Sequence, residues 1–465
     1  MAELLEARSP RGRLLIATVT LGSGIALLDS TVVNIAVRTI GPDLSASLVQ
    51  LQWVLNGYLL SLASLILVGG SLGDRFGRRR IYLAGVAGFA VASAMCALAQ
   101  TPNQLVAFRI IQGVAAALLT PGALALIQSS LRPADRAAAI GTWAGVSGMA
   151  AAIGPFVGGF LLEHGGWRWI FAINIPLCVL VVLLGLRIPE SRDEANAGRL
   201  DIPGAVLGVA GLGATTYALT SWRTMSGALL TGTAVVAVLA TAGFLLVERR
   251  TGAMLPLELF ASRVFAAANM MTFLVYGALG GVIFLLVLQL QVSAGYGPIA
   301  AGLATLPITI SMLLLSSRFS VLAARIGPRL PMTFGPLVCA AGAALLSTVG
   351  REAPYWTQVF PGMLLFSLGL SGLVAPLTTA VLAAAPDRHA GVASGVNNAV
   401  ARAGSLLVVA ALPALVGLHG KEYADPALLT RGYQAGLLVC AALLAGGGIV
   451  SWFGLAGTQP LAGGE

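Results

Sequence analysis

Asp29 is the one acidic residue deep inside an apolar run (residues 14–37) of this 465-residue chain. A carboxyl group there can take up and release a proton, and an ionisable side chain within hydrocarbon is costly enough to imply a use. Arg109 and Arg402 lie inside apolar runs, at 103–128 and 391–417. Desolvation favours a protonated acid and a nearby guanidinium favours the carboxylate. A carboxyl group moved between those surroundings would bind and release a proton. A static ion pair stitching two helices accounts for the same residues. A second charged feature is the stretch Gly70-Ser71-Leu72-Gly73-Asp74-Arg75-Phe76-Gly77-Arg78-Arg79-Arg80, between the apolar runs 48–69 and 81–99. Four arginines cannot enter hydrocarbon and mark a cytoplasmic loop. Gly73 and Gly77 allow a tight turn, and Asp74 is expected to face a helix N-terminus or a nearby arginine. A solvated charge run explains the arginines but leaves the glycines and the lone acid unexplained.

The elements that position these residues follow from composition. The chain is 57% hydrophobic and 10% charged, against about 25% charged residues in soluble domains, so it is an all-α polytopic membrane protein. Its net charge of +9 reflects arginines placed around a membrane rather than a nucleic-acid partner. Cys96, Cys178, Cys339 and Cys440 lie in apolar runs without pairing and read as small buried hydrophobes. Three histidines argue against a haem or metal enzyme. The run 14–37 reads as a retained first helix rather than a processed signal.

On a ruler of about 20 apolar residues per span, helices fall near 14–37, 48–70, 80–99, 103–128, 138–162, 168–187, 203–222, 227–247, 264–290, 299–322, 328–349, 356–384, 391–417 and 433–455. Fourteen spans return both termini to one side. With the termini cytoplasmic, inner segments hold 19 of the 27 basic residues and outer segments 6, as the positive-inside rule requires. Helix 1 then runs outward and helix 4 inward. Asp29 lies roughly 22 Å above the inner end of its helix at about 1.5 Å per residue, and Arg109 sits near the outer end of its own, so the two can approach.

Leu72-Gly73-Asp74-Arg75-Phe76-Gly77 is echoed 250 residues later by Leu322-Ala323-Ala324-Arg325-Ile326-Gly327, and Gly141, Gly145 and Gly154 by Gly391, Gly395 and Gly404. Repeated halves with a midplane site between them are a transporter signature. The expected organisation is a six-helix half at 1–187, a cytoplasmic linker at 188–202, two inserted helices at 203–247, a second linker at 248–263 and a six-helix half at 264–465.

These residues resemble the major facilitator superfamily. The stretch 70–80 looks like its loop signature between helices 2 and 3. Leu28-Asp29-Ser30-Thr31-Val32-Val33-Asn34-Ile35-Ala36 resembles the first-helix motif of the fourteen-helix drug:proton antiporters, with Arg38 where the family usually has proline. Arg109-Ile110-Ile111-Gln112-Gly113 resembles the helix 4 motif. Gly154-Pro155-Phe156-Val157-Gly158-Gly159 resembles the antiporter motif of helix 5, with Ala150 replacing an upstream glycine. Trp167-Arg168-Trp169-Ile170-Phe171, Asn174 and Pro176 agree with the same family. The resemblance covers essentially the whole chain and implies a major facilitator fold. It assigns proton coupling to Asp29 and Arg109, and gating to Gly70, Asp74, Arg75, Gly77, Arg78 and Arg79. Gly154, Pro155, Gly158 and Gly159 would mark an exporter. Independently of the family, Pro155 bends its helix and the small residues permit close packing.

Candidate substrate residues are Asn34, Trp53, Asn56, Tyr58, Gln112, Trp143, Tyr276, Gln289, Asn397, Asn398 and Arg402, since ligand sites are mainly apolar with a few placed polar groups. Trp and Tyr also form interfacial belts, so packing roles compete. No acid accompanies Arg402, which leaves neutral, monocationic or anionic substrates open.

The expected protein is a monomeric exporter of drugs or other small organic compounds in the inner membrane. It would use the proton gradient and no cofactor. A dedicated exporter of one antibiotic or metabolite, a proton symporter and a non-transporting receptor are the alternatives. A receptor would be expected to carry a sizeable output domain, and only 13 residues follow Trp452. No nucleophile–base–metal constellation or phosphate-binding loop appears, which argues against an enzyme.

Overall fold

The computed structural model describes residues 4–192, 201–250, 255, 257–385, 390–418, 423 and 425–456. Its elements are helices: α1 (Pro10–Asp43), α2 (Leu48–Phe76), α3 (Arg78–Ala97), α4 (Pro102–Ser130), α5 (Pro133–His164), α6 (Arg168–Ala172), α7 (Asn174–Gly185), α8 (Ile202–Ser221), α9 (Gly227–Val247), α10 (Arg263–Val292), α11 (Pro298–Leu303), α12 (Leu306–Ile326), α13 (Arg329–Leu346), α14 (Phe360–Ala383), α15 (Ala390–Leu415) and α16 (Pro426–Gly454). Thirteen stretches among the described residues are long and apolar enough to span a membrane. The remaining predicted span, 138–162, lies in α5, whose 32 residues extend about 48 Å at about 1.5 Å per residue.

Helices start further out than their apolar runs because polar caps prepare them. The Ser9 hydroxyl accepts the Gly12 N–H with Pro10 at the first helical position. Thr101 does the same for Gln104 ahead of Pro102, and Asp425 for Ala427 and Leu428 ahead of Pro426. Proline at this position loses no helical bond, so α16 begins seven residues before the expected 433.

Two spans predicted as single helices are broken. The run 168–187 divides into α6 and α7, and 299–322 into α11 and α12. Pro176 lies four residues after Ala172, and Pro307 four after Leu303. A proline ring lacks an N–H and collides with the carbonyl four residues earlier, and α6 and α11 end at those carbonyls. Apolar periodicity alone does not register this.

Contacts divide the chain into two units. One comprises Met1–Ala46, Trp53–Ala214 and Val235–Leu255, the other Ser47–Gln52, Thr215–Ala234 and Pro256–Glu465. In the first, α1 packs on α4, α5 and α7, and α3 on α4, α6 and α7. In the second, α10 packs on α15 and α16, and α13 on α14 and α16. Each unit therefore pairs its first helix with its fifth and sixth, and its third with its fourth and sixth. Matched small residues carry the repeat. Gly85 lies against the Ala115 and Leu119 backbone, and Gly335, 250 residues on, against that of Gly369 and Leu373. Missing side chains at these crossings let helix backbones touch, where dispersion rather than hydrophobicity holds membrane helices together. The tight turns repeat as well. Gly77 has φ +110° and Gly327 φ +84°, a region that glycine enters without strain. All four cysteines are buried.

Candidate functional site

Asp29 and Arg109 meet. Within the first unit, Arg109 Nη1 donates to Asp29 Oδ2 at 2.6 Å, and both side chains are removed from solvent, at 0% and 1% exposure. The other carboxylate oxygen of Asp29 accepts from Gln112 Nε2 at 3.1 Å and Asn174 Nδ2 at 3.0 Å. Gln112 also receives Arg109 Nη1 at 2.6 Å on its carbonyl and donates to Ser93 Oγ at 2.8 Å. Arg109 Nε donates to the Val54 carbonyl at 3.0 Å, and its guanidinium carbon lies 4.4 Å from the Tyr58 ring centre and 5.7 Å from that of Phe171.

The cluster draws on five spans: α1, α2, α3, α4 and the α6–α7 pair. Its chemistry follows from burial. Two charges out of water lose several kcal/mol of hydration each, and their attraction offsets this only when remaining lone pairs and protons are hydrogen-bonded. Ser93, Gln112 and Asn174 supply those bonds. A proton delivered to Asp29 would cancel its charge, release the guanidinium and loosen α1 from α4.

The approach of Asp29 and Arg109 expected from the sequence is met. Gln112 and Tyr58, candidates for substrate contact, touch the ion pair. Gln112 follows Arg109 by three residues and so shares its helix face, a signal sufficient to group them. Ser93 had no such signal, since a lone serine in an apolar run is common, and Asn174 was marked only as part of the family pattern.

The α2–α3 loop is braced from elsewhere in the chain. Asp74 pairs with Arg78 one turn on, at 2.7 Å, which satisfies the arginine alternative of the sequence reading. The N-terminus of α3 is met by Glu190, absent from that reading. Its carboxylate accepts the Arg79 and Arg80 N–H groups at 2.9 and 3.2 Å and lies 3.7 and 3.8 Å from their guanidinium nitrogens. A carboxylate at a helix N-terminus answers both free N–H groups and the helix dipole. Arg79 also donates to the Ile188 carbonyl at 2.6 Å. Arg75 is exposed. Gly77 sits against the Glu190 carboxylate in its left-handed turn, whereas Gly70 and Gly73 have only ordinary contacts with Pro121 and Arg78. Of the three glycines, Gly77 is the one that geometry demands.

The helix 5 motif packs on helix 1. Gly154 faces Thr31 and Leu28, and Gly158 faces Val32. Gly159 is buried beside a half-buried Pro155. In the second unit, Gly404 faces Phe273 of α10 in the corresponding way.

The other candidates divide by what they touch. Gln289 donates to the Gly350 carbonyl and to Thr430, both at 3.1 Å, so it ties helices together. Asn397 donates to Thr272 at 2.8 Å and to Asn269 at 3.2 Å. Trp143 donates to Ser23 at 2.9 Å, and the Asn34 amide turns back to the Ser30 carbonyl of its own helix. Trp53 is half-buried. Asn56 is fully buried, and neither end of its amide has a hydrogen-bond partner. Tyr276 and Arg402 are half-buried. Asn398, exposed one turn before Arg402, shares its helix face.

The family model described as Major Facilitator Superfamily matches residues 19–409. The chain belongs to this superfamily. It is 36% identical over 407 residues to a tetracenomycin C resistance and export protein of Streptomyces glaucescens, covering 86% of this chain and 75% of that one. It is 36% identical to a puromycin resistance protein of Streptomyces alboniger, covering 91% and 86%. A methylenomycin A resistance protein of Bacillus subtilis is also 36% identical, covering 90% and 91%. Among solved structures, a bacterial homologue of the lysosomal transporter Spinster superposes with TM-score 0.68 at 18% identity, covering 96% of this chain and 97% of the other. A proton-coupled D-xylose symporter superposes with TM-score 0.64 at 16% identity, covering 98% and 99%. These superpositions show the fold. The protein is accordingly a multi-pass membrane transporter of small molecules, not an enzyme.

Proposed function

We propose that this superfamily member exports drugs or other small organic compounds across the cytoplasmic membrane in exchange for protons, with Asp29 as the proton-carrying group. One observation carries the reading: a completely buried carboxylate whose counter-charge, Arg109, comes from another helix. Protonation removes one of the two charges that justify the arrangement, so proton occupancy and helix packing are linked. The export direction is supported by relatives named for antibiotic resistance and export. In this reading the 70–80 loop gates the cytoplasmic face and the Gly154–Gly159 motif sets the exporter geometry. Of the candidate substrate residues, Trp53 and Asn56 belong to the first unit and Tyr276, Asn398 and Arg402 to the second. The monomer has two six-helix halves with an inserted pair and both termini in the cytoplasm, and the proton gradient is its energy source.

The full set of hydrogen bonds on Asp29 is also what a static stitch requires, and transport separates the two. Inside-out vesicles energised to an acidic interior are challenged in turn with lipophilic cations, neutral antibiotics and anionic metabolites while internal pH is followed by dye. Proton release with several unrelated compounds establishes a broad antiporter, and release with one class a dedicated exporter. Silence across the panel would overturn antiport.

A further inference from the structure

Helices α8 and α9 meet along a seam of glycines. Gly208 lies against Phe244 and Gly211 against Thr241. One turn further along α8, Gly204 takes the same place opposite Glu248, just past the end of α9. A side chain on Gly204 would lie 2.5 Å from Asp201 Oδ2 and 2.9 Å from Glu248 Oε1. The seam therefore ends with two carboxyl groups turned toward one spot.

Each carboxyl group has one oxygen in use. Asp201 Oδ1 accepts the Gly204 N–H at 2.9 Å, capping α8, and Glu248 Oε2 accepts the Leu255 N–H at 2.8 Å. The other two oxygens, Asp201 Oδ2 and Glu248 Oε1, are buried without a partner, and Glu248 is 2% exposed. Neither α8 nor α9 carries a charged side chain. Arg249 and Arg250 point to solvent, and no cationic side chain among the described residues pairs with either acid. Two buried acceptors facing each other without a donor lack one hydrogen, and two adjacent carboxylates cannot both stay ionised.

We propose that Asp201 and Glu248 form a proton-binding site, separate from Asp29, in which Glu248 Oε1 holds a proton and donates it to Asp201 Oδ2, fastening the ends of the inserted helices. Asp201 is the acceptor because the α8 N-terminus favours its charge. Burial, with the neighbouring Asp201 charge, raises the affinity of Glu248 for its proton above the ordinary carboxylate level. The folded state then binds this proton more tightly than the unfolded one. Its contribution to stability is complete below the ordinary carboxylate range and is lost as pH rises through the raised value.

Infrared difference spectra of the purified protein in lipid nanodiscs test the site directly. At neutral pH the wild type should show the carbonyl stretch of a protonated carboxylic acid, absent from Glu248→Gln, shifted in Asp201→Asn and retained in Asp29→Asn. Glu248→Gln keeps both hydrogen bonds through its amide, so it should fold with an unchanged midpoint and lose the fall in midpoint that the wild type shows on alkalinisation. Gly204→Ala, which crowds both oxygens while keeping both acids, should weaken the same band. A wild-type band absent at neutral pH, or one that survives in Glu248→Gln, would overturn the site.

Discussion

Asp29→Asn is expected to abolish concentrative export. In proteoliposomes with an imposed pH gradient, substrate should equilibrate across the membrane and accumulate no further. The amide oxygen can still accept from Arg109, while the new N–H replaces the acceptor of Gln112 and Asn174, so the ion-pair contact is kept in neutral form and part of the surrounding hydrogen bonding is lost. What disappears is the capacity to bind a proton. Exchange of labelled for unlabelled substrate, which needs conformational cycling but no net proton movement, should persist. That persistence guards against misfolding as the explanation. Full accumulation by the variant would remove Asp29 from coupling and leave the static stitch as its role.

Arg109→Ala should have the larger effect on stability. It leaves the Asp29 carboxylate buried at 0% exposure without its counter-charge, and it frees the Val54 carbonyl and the Tyr58 ring face from the guanidinium. Breaking a buried pair from one side costs about 3–5 kcal/mol. Adding Asp29→Asn to Arg109→Ala removes the orphan charge, so the double variant should be more stable than Arg109→Ala alone. Thermal unfolding in detergent reads both. Additive losses in the double variant would mean that the two residues do not act as a unit.

How much of this was legible beforehand depended on the cost of each residue in its surroundings. Asp29 and Arg109 stood out because a charge in an apolar run is expensive. Arginine placement anticipated a chain of many membrane spans, and the 250-residue echo marked small residues such as Gly154 and Gly404 that meet a neighbouring helix in each unit. Residues whose burial costs little gave no such mark. Ser93 orients the Gln112 and Asn174 amides that bond Asp29, yet it passes for one polar residue in a hydrophobic helix; Asn174 was marked by the family pattern alone, without a role. Glu190 was hidden differently, since an acid after the sixth span reads as part of a solvated linker until folding brings it to the start of α3. The breaks at Ala172 and Leu303 were written in Pro176 and Pro307 but masked by unbroken hydropathy. Gln289, named for its polarity in an apolar run, joins α10 to the neighbouring backbone, a role that polarity alone does not distinguish from substrate contact.

The most direct test of the central claim dispenses with the membrane. Purified protein in weakly buffered detergent is titrated with a compound that it binds, and the pH of the solution is recorded with a dye. If Asp29 carries the proton that substrate displaces, binding should acidify the solution with the wild type and leave it unchanged with Asp29→Asn. Binding confirmed by calorimetry without proton release from the wild type would contradict coupling at this site.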